Sequence, residues 1–222
     1  MSFKKNKYII FKNILSPQFA SFLTGYSLLK RKALDTMIKD KYISPFETAL
    51  GKIRGDEQVE GTYCHYGDIA METLLQVLKP ELEKKTKLKL VPTYSYQRIY
   101  KKGDVLKRHI DRNSCEISAT LNLGGDPWPI YVENNPKNIY YKKGVYRPGD
   151  SKGKKINLNV GDLMIYRGCE VEHWREPFLG TYCVQVFLHY NVADQVTTNV
   201  WDGRPHPGLP EWYVKRKIHN NQ

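Results

Sequence analysis

The sequence predicts a mainly β fold with supporting helices, an α+β arrangement in which two amphipathic helices precede a β-sandwich or jelly roll. Apolar residues first recur at helical spacing in two stretches, near 17–30 and 68–82. From Leu90 onward the pattern changes to short runs rich in Tyr, Val, Ile and Thr, with turn residues between them. A chain of 222 residues that is 41% hydrophobic and 12% aromatic can also fill one well-packed core. We therefore expect a single domain over 1–222: a helical support region at 1–90, a β core at 91–190 and a C-terminal wrap at 191–222.

Lys7 to Ile14 reads as an opening strand. Ser16-Pro17 then offers a side-chain cap and a proline suited to the first helical turn. In the helix that follows, Phe19, Phe22, Leu23, Tyr26 and Leu29 form one apolar stripe, expected to lie on a flat surface. Asp40 to Gly67 has no period and reads as loop. Asp68 caps a second helix with Met71, Leu74, Leu75, Leu78 and Leu82 on one face, ending in the Lys-rich stretch 84–89. Strands are expected near 92–100, 105–111, 115–123, 128–133, 154–158, 162–167 and 181–190, with turns at Lys102-Gly103-Asp104, Gly124 to Pro127 and Asn159 to Asp162. Glu133 to Lys155 is polar and irregular, and reads as an insertion over one mouth of the β core.

Composition narrows the function classes. No apolar run reaches the roughly 18 to 20 residues of a bilayer span, and the N-terminal stretch lacks a secretory apolar segment, so a cytoplasmic, non-membrane protein is expected. Cys64, Cys115, Cys169 and Cys183 lie far apart without a C-x-x-C pair, which favours free thiols over a disulfide frame or a structural zinc site. Lys and Arg number 35 against 23 Asp and Glu, a formal charge of +12 spread along the whole chain. That spread fits surface solubility better than a dedicated polyanion site.

The residues with chemistry begin at Leu106-Lys107-Arg108-His109-Ile110-Asp111. In an extended backbone His109 and Asp111 share a face. Alone, such a pair is equally a strand-end His bonded to a neighbouring acid. His173 lies 62 residues after Asp111, and in a double-stranded β-helix a return strand at that separation brings it beside the pair. Two His and one carboxylate on one face of a divalent metal leave the other positions open, which is the facial triad of non-haem iron oxygenases.

The run YSYQRIYKKGDVLKRHIDRNSCEISATLNL, with VGDLMIYRGCEVEHWREPFLGTYCVQVFLHY after it, resembles the catalytic core of the prolyl-4-hydroxylase-like branch of the iron/2-oxoglutarate dioxygenases. The resemblance spans Leu90 to Tyr190 and implies the double-stranded β-helix fold. It also implies Fe(II) held by His109, Asp111 and His173, with 2-oxoglutarate and O2 consumed to succinate and CO2 as a substrate C–H bond is hydroxylated. Tyr100 matches a tyrosine that hydrogen-bonds the cosubstrate. In that branch an Arg or Lys nine or ten residues after the distal His pairs with the cosubstrate's 5-carboxylate, and Tyr182 and Cys183 stand there instead.

A buried carboxylate without a cation is costly, so another base must serve if the cosubstrate is the same. Arg175, two residues after His173 and expected on its face, leads; Arg98, two before Tyr100, is second, and Tyr182 can donate one hydrogen bond. An ion pair of Arg175 with Glu172 or Glu176 is the competing reading. His65, His189, His206 and His219 have no partner spacing and read as surface or core histidines. Trp128 and Trp174 shape either core or pocket, and Arg112 and Glu116 either orient ligands or make ordinary cross-strand pairs. The intact Asp111 argues against halogenation, which needs that ligand position vacant. A small-molecule or peptidyl substrate is expected. The alternative is a catalytically retired metal-binding jelly roll that engages nucleic acid or another polyanion.

Overall fold

A computed structural model describes residues 2–138, 140–142, 145–193 and 200–213. The part of the expected C-terminal wrap at 194–199 and 214–222, His219 included, lies outside the described residues. The chain opens with a single helical turn, α1 (Phe3–Asn6), then strand β1 (Tyr8–Phe11) and helix α2 (Pro17–Lys39). Strand β2 (Cys64–Tyr66) and helix α3 (Ile69–Thr86) follow. Next come β3 (Leu90–Lys101), β4 (Leu106–His109), β5 (Ile117–Gly125), β6 (Ile130–Glu133), β7 (Tyr140–Lys142) and β8 (Val145–Arg147). The last four are β9 (Lys154–Ile156), β10 (Leu163–Arg167), β11 (Glu172–Arg175) and β12 (Tyr182–Val192).

Two antiparallel sheets face one another, the jelly-roll arrangement that the strand spacing predicts. The larger runs β1-β10-β5-β12-β3-β2, the smaller β4-β11-β6-β9, and β7 pairs with β8 in a separate hairpin. Strand alternation divides the large sheet cleanly. Ile99, Val184, Val186, Leu188, Ala119, Leu121 and Leu123 join the helix-side core, while the residues between them point at the small sheet and include Tyr96, Arg98, Tyr100, Thr120, Gln185 and His189. The interior between the sheets is thus unusually polar at one end, and that end holds the chemistry.

Both long helices form where expected. Ser16 accepts the Phe19 N–H at the start of α2, and Asp68 accepts the Met71 N–H at the start of α3. The α3 stripe is buried as predicted, but α2 is rotated from its predicted face. Ala20, Leu23, Ser27 and Leu34 are buried, whereas Phe19, Phe22 and Leu29 are exposed. The Thr24 hydroxyl donates to the Leu123 carbonyl at 2.7 Å, and Gly124 lies so close that a Cβ there would sit 2.6 Å from the Thr24 Oγ1. These contacts fix the helix on its smaller face.

The segment expected over the mouth lies elsewhere. Its anchors are Arg108 to the Ser151 carbonyl at 2.6 Å, Ser151 to Glu133 at 2.7 Å and Tyr146 to Glu172 at 2.8 Å. Glu172 and Trp174 alternate with His173 on β11, so this segment covers the back of the small sheet. Trp174 stacks there on Tyr131, with the Arg108 guanidinium 4.1 Å above its ring. The mouth is instead walled by residues from the irregular 40–67 stretch and by Glu211. The C-terminal segment is held by Arg204, buried and paired to Glu72 at 2.7 Å. All four cysteines are free, and no helix among the described residues is long and apolar enough to cross a membrane.

Candidate metal centre

β4 and β11 run antiparallel with His109 opposite His173, and Arg175 opposite Leu106. The register slips between those pairs, since three residues of β4 span two of β11. That bulge turns Arg108 outward and keeps both His109 and Leu106 inward. The two imidazole rings lie 4.2 Å apart. Asp111 follows the end of β4, held by its N–H to the Gly168 carbonyl at 2.9 Å. Its Oδ1 is 3.6 Å from His109 Nε2 and 3.4 Å from His173 Nε2. Such separations fit inside the span of two metal bonds of about 2.1 Å each.

The tautomers are set for ligation. His109 Nδ1 lies 2.7 Å from the Lys107 carbonyl and His173 Nδ1 3.0 Å from that of Val171. A carbonyl only accepts, so each ring carries its proton on Nδ1 and turns a lone pair on Nε2 toward Asp111. Burial raises the Asp111 pKa, whereas a proton arriving on either imidazole would lower it. Its other oxygen, Oδ2, accepts the Ser118 hydroxyl at 2.6 Å, and Ser118 in turn meets His189 Nδ1 at 2.9 Å. Gly168 makes room for this carboxylate, because a Cβ there would stand 2.5 Å from Asp111 Oδ2 and 2.2 Å from the Cys115 carbonyl oxygen.

The triad opens on a cavity of about 670 Å³. Its walls include Tyr66, Tyr94, Tyr96 and Phe187, with Arg98, Asp56 and Gln58 on one side. Arg175 is inward, fully buried and, among the described residues, without a carboxylate, so the alternative pairing with Glu172 or Glu176 does not form: Glu172 faces the opposite side and pairs with Arg108. Arg175 Nη1 donates to the Trp128 carbonyl, and Nη2 lies 3.4 Å from Gln185 Oε1 and 3.5 Å from Thr120 Oγ1. Among the described residues its Nε has no partner, and neither does the equally buried hydroxyl of Tyr100.

The other candidates separate. Arg98 is buried too, but its Nη2 pairs with Asp56 at 2.7 Å and reaches Gln58 Oε1 at 3.1 Å, leaving Nε and Nη1 unpartnered. Tyr182 is displaced from the expected role: Cys183 faces inward on β12, so Tyr182 turns to the other face and packs on the helix-side core. Arg112 pairs with Asp202 at 2.7 Å at the rim. Ser118, His189, Asp56 and Gln58 are site residues that spacing did not reveal. Each reaches the site through strand register or a loop without period.

No family model matches the sequence, and no curated protein matches it. Solved structures do match the fold. A Pseudomonas putida prolyl-4-hydroxylase aligns with 86% of this chain and 95% of its own at a TM-score of 0.53 and 15% identity. HygX from Streptomyces hygroscopicus, solved with nickel and 2-oxoglutarate bound, covers 94% of this chain and 93% of its own at 0.54 and 11% identity. The non-haem α-ketoglutarate-dependent epimerase SnoN of nogalamycin biosynthesis covers 97% of this chain and 93% of its own at 0.60 and 9% identity. The chain therefore has the double-stranded β-helix fold that these three structures share, along nearly its whole length.

Proposed function

We propose that the protein is a non-haem Fe(II)- and 2-oxoglutarate-dependent oxygenase that hydroxylates an unactivated C–H bond of a small-molecule or peptidyl substrate. The observation that carries this reading is the joint presence of an open His109/Asp111/His173 triad and a buried, carboxylate-free Arg175 beside the unpartnered Tyr100 hydroxyl. The donor set suits divalent iron, with two neutral imidazoles and one carboxylate. Charge supports the cosubstrate as well. Asp111 and Arg175 cancel, as do a divalent metal and a dianionic keto acid, so the loaded interior would be neutral and the apo interior balanced.

His109, Asp111 and His173 would hold the iron, which with 2-oxoglutarate supplies the activation of O2 for attack on a C–H bond. Ser118 and Gly168 keep the Asp111 carboxylate in one orientation. Tyr100 stays a neutral donor because burial raises its phenol pKa, against the opposing effect of Arg98 and Arg175. Burial lowers the Arg175 pKa, yet a guanidinium remains charged, and its free Nε can receive a carboxylate oxygen together with the Tyr100 hydroxyl. Trp128 packs against both groups. Asp111 fills the ligand position that a halide would need, which favours hydroxylation over halogenation.

The test is anaerobic addition of Fe(II) and 2-oxoglutarate, followed by O2. A visible charge-transfer band and then succinate are expected from the wild type. Absence of both would remove the enzyme reading.

A further inference from the structure

The stretch 55–60 forms a strap across the cavity. Gly55 pairs back to Glu60, with a φ of +73° and no room for a side chain, since a Cβ would meet the Val59 carbonyl oxygen at 2.3 Å. Asp56 clasps the strap to the large sheet. Its carboxylate accepts the Gln58 and Val59 N–H groups, each at 3.0 Å, and on its other oxygen Arg98 Nη2 at 2.7 Å and the Tyr96 hydroxyl. With the acid satisfied, the strap presents Gln58 to the metal centre. Gln58 Oε1 accepts from Arg98 at 3.1 Å and Gln58 Nε2 lies 3.0 Å from His109 Nε2.

The direction of this relay is fixed throughout. Arg98 only donates, so the Gln58 oxygen must face it and the Gln58 amide nitrogen must face His109. The Lys107 carbonyl takes the His109 Nδ1 proton, so His109 Nε2 is an acceptor and receives the Gln58 N–H. That lone pair is also the one a metal would use, and it serves one partner at a time. Arg98 remains to hold the amide in place when the partner changes.

We propose that Gln58 is a positioning residue of the metal centre. Its carboxamide donates to His109 Nε2 in the metal-free site and, once a metal takes that lone pair, to an oxygen ligand carried by the metal. The inference rests on the metal-centre reading above and adds the strap to it. Arg98 acquires a role distinct from Arg175: it aims Gln58, while Arg175 receives the distal carboxylate.

Co(II) titration followed by its visible absorption tests this, with 2-oxoglutarate then added to the loaded protein under anaerobic conditions. Gln58 is exposed, so Gln58→Ala should fold like the wild type. It should bind Co(II) about threefold to tenfold tighter, since one competing hydrogen bond is removed. The loaded variant should bind 2-oxoglutarate more weakly by a similar factor. Gln58→Glu, which brings a carboxylate to the lone pair's side, should tighten Co(II) more than tenfold and change its spectrum. A wild type that binds Co(II) together with an unchanged Co(II) affinity in Gln58→Ala overturns the role of Gln58 and leaves the metal centre standing. A wild type that binds no Co(II) overturns the metal centre itself.

Discussion

Arg175 and Tyr100 meet on the same indole. The Arg175 guanidinium stands 5.0 Å from the Trp128 ring centroid, and the Tyr100 ring lies 4.6 Å from it, edge on. Arg175 comes from the small sheet and Tyr100 from the large one, so Trp128 spaces two buried donors across the interior. Among the described residues neither meets an acid, and each keeps an unused donor. In a packed core that arrangement is costly, which makes it informative.

Arg175→Met should therefore separate stability from binding. Removing an unpaired buried cation in favour of an apolar chain of similar length is expected to leave metal-free stability unchanged or raise it by about 1 kcal/mol or more. The same change should weaken 2-oxoglutarate binding at least tenfold, with Co(II) affinity retained. Thermal melts with and without 2-oxoglutarate read both effects. A variant that is less stable and binds the keto acid normally would contradict the anchor.

The triad makes a sharper demand on its supports. His109→Ala and His173→Ala should each abolish Co(II) binding, and Ser118→Ala should weaken it about tenfold by freeing the Asp111 carboxylate to rotate. Gly168→Ala should cost about 2 kcal/mol or more, because its Cβ would overlap the Asp111 carboxylate and the Cys115 carbonyl. Denaturant midpoints and metal titration check the pair. A Gly168→Ala protein of wild-type stability would show that the carboxylate has room to move.

How far these residues were legible in sequence follows from the kind of contact each makes. His109 and Asp111 are close in the chain, and strand parity alone places Arg175 on the side of His173, so local pattern sufficed. The sequence predicts β11 only as a return strand without bounds, since its four residues carry too little period to mark where a strand starts and stops. Ser118 and His189 face each other only through the register of β5 on β12, a pairing between segments some seventy residues apart that no local pattern encodes. Gln58 and Asp56 lie in a loop whose order comes from Arg98 and Tyr96. For α2 the bulky Phe19, Phe22 and Leu29 dominate the hydrophobic pattern, but a hydroxyl, Thr24, and a strand glycine, Gly124, decided which face docks.

The strap should loosen when its clasp is cut. Asp56→Ala removes the acceptor of the Gln58 and Val59 N–H groups, of Arg98 and of Tyr96, and leaves the buried Arg98 charge with the Gln58 amide oxygen but no acid. Cleavage by trypsin after the exposed Arg54 is then expected to accelerate about tenfold or more under native conditions, ahead of global unfolding. Wild-type cleavage rates at Arg54 would mean that the bridge from Gly55 to Glu60 suffices by itself.

His189 gives the fold a pH dependence on the acid side of neutrality. Burial pushes its imidazole from the ordinary 6.5 down to about 4. Asp111 and Asp202 pull the value up and Arg112 and His173 push it further down, so burial decides the direction. The folded protein thus holds His189 neutral while the unfolded chain protonates it. Stability from this group is complete above about pH 6.5 and is lost as pH falls toward about 4, a loss of about 3 kcal/mol across the window. His189→Gln keeps a hydrogen-bonding partner for Ser118 but does not titrate. Urea denaturation of both metal-free proteins at pH 7.5 and at pH 4.5 isolates the term: the wild type should lose about 2.5 kcal/mol more than the variant, and parallel losses would mean that His189 is protonated in the fold.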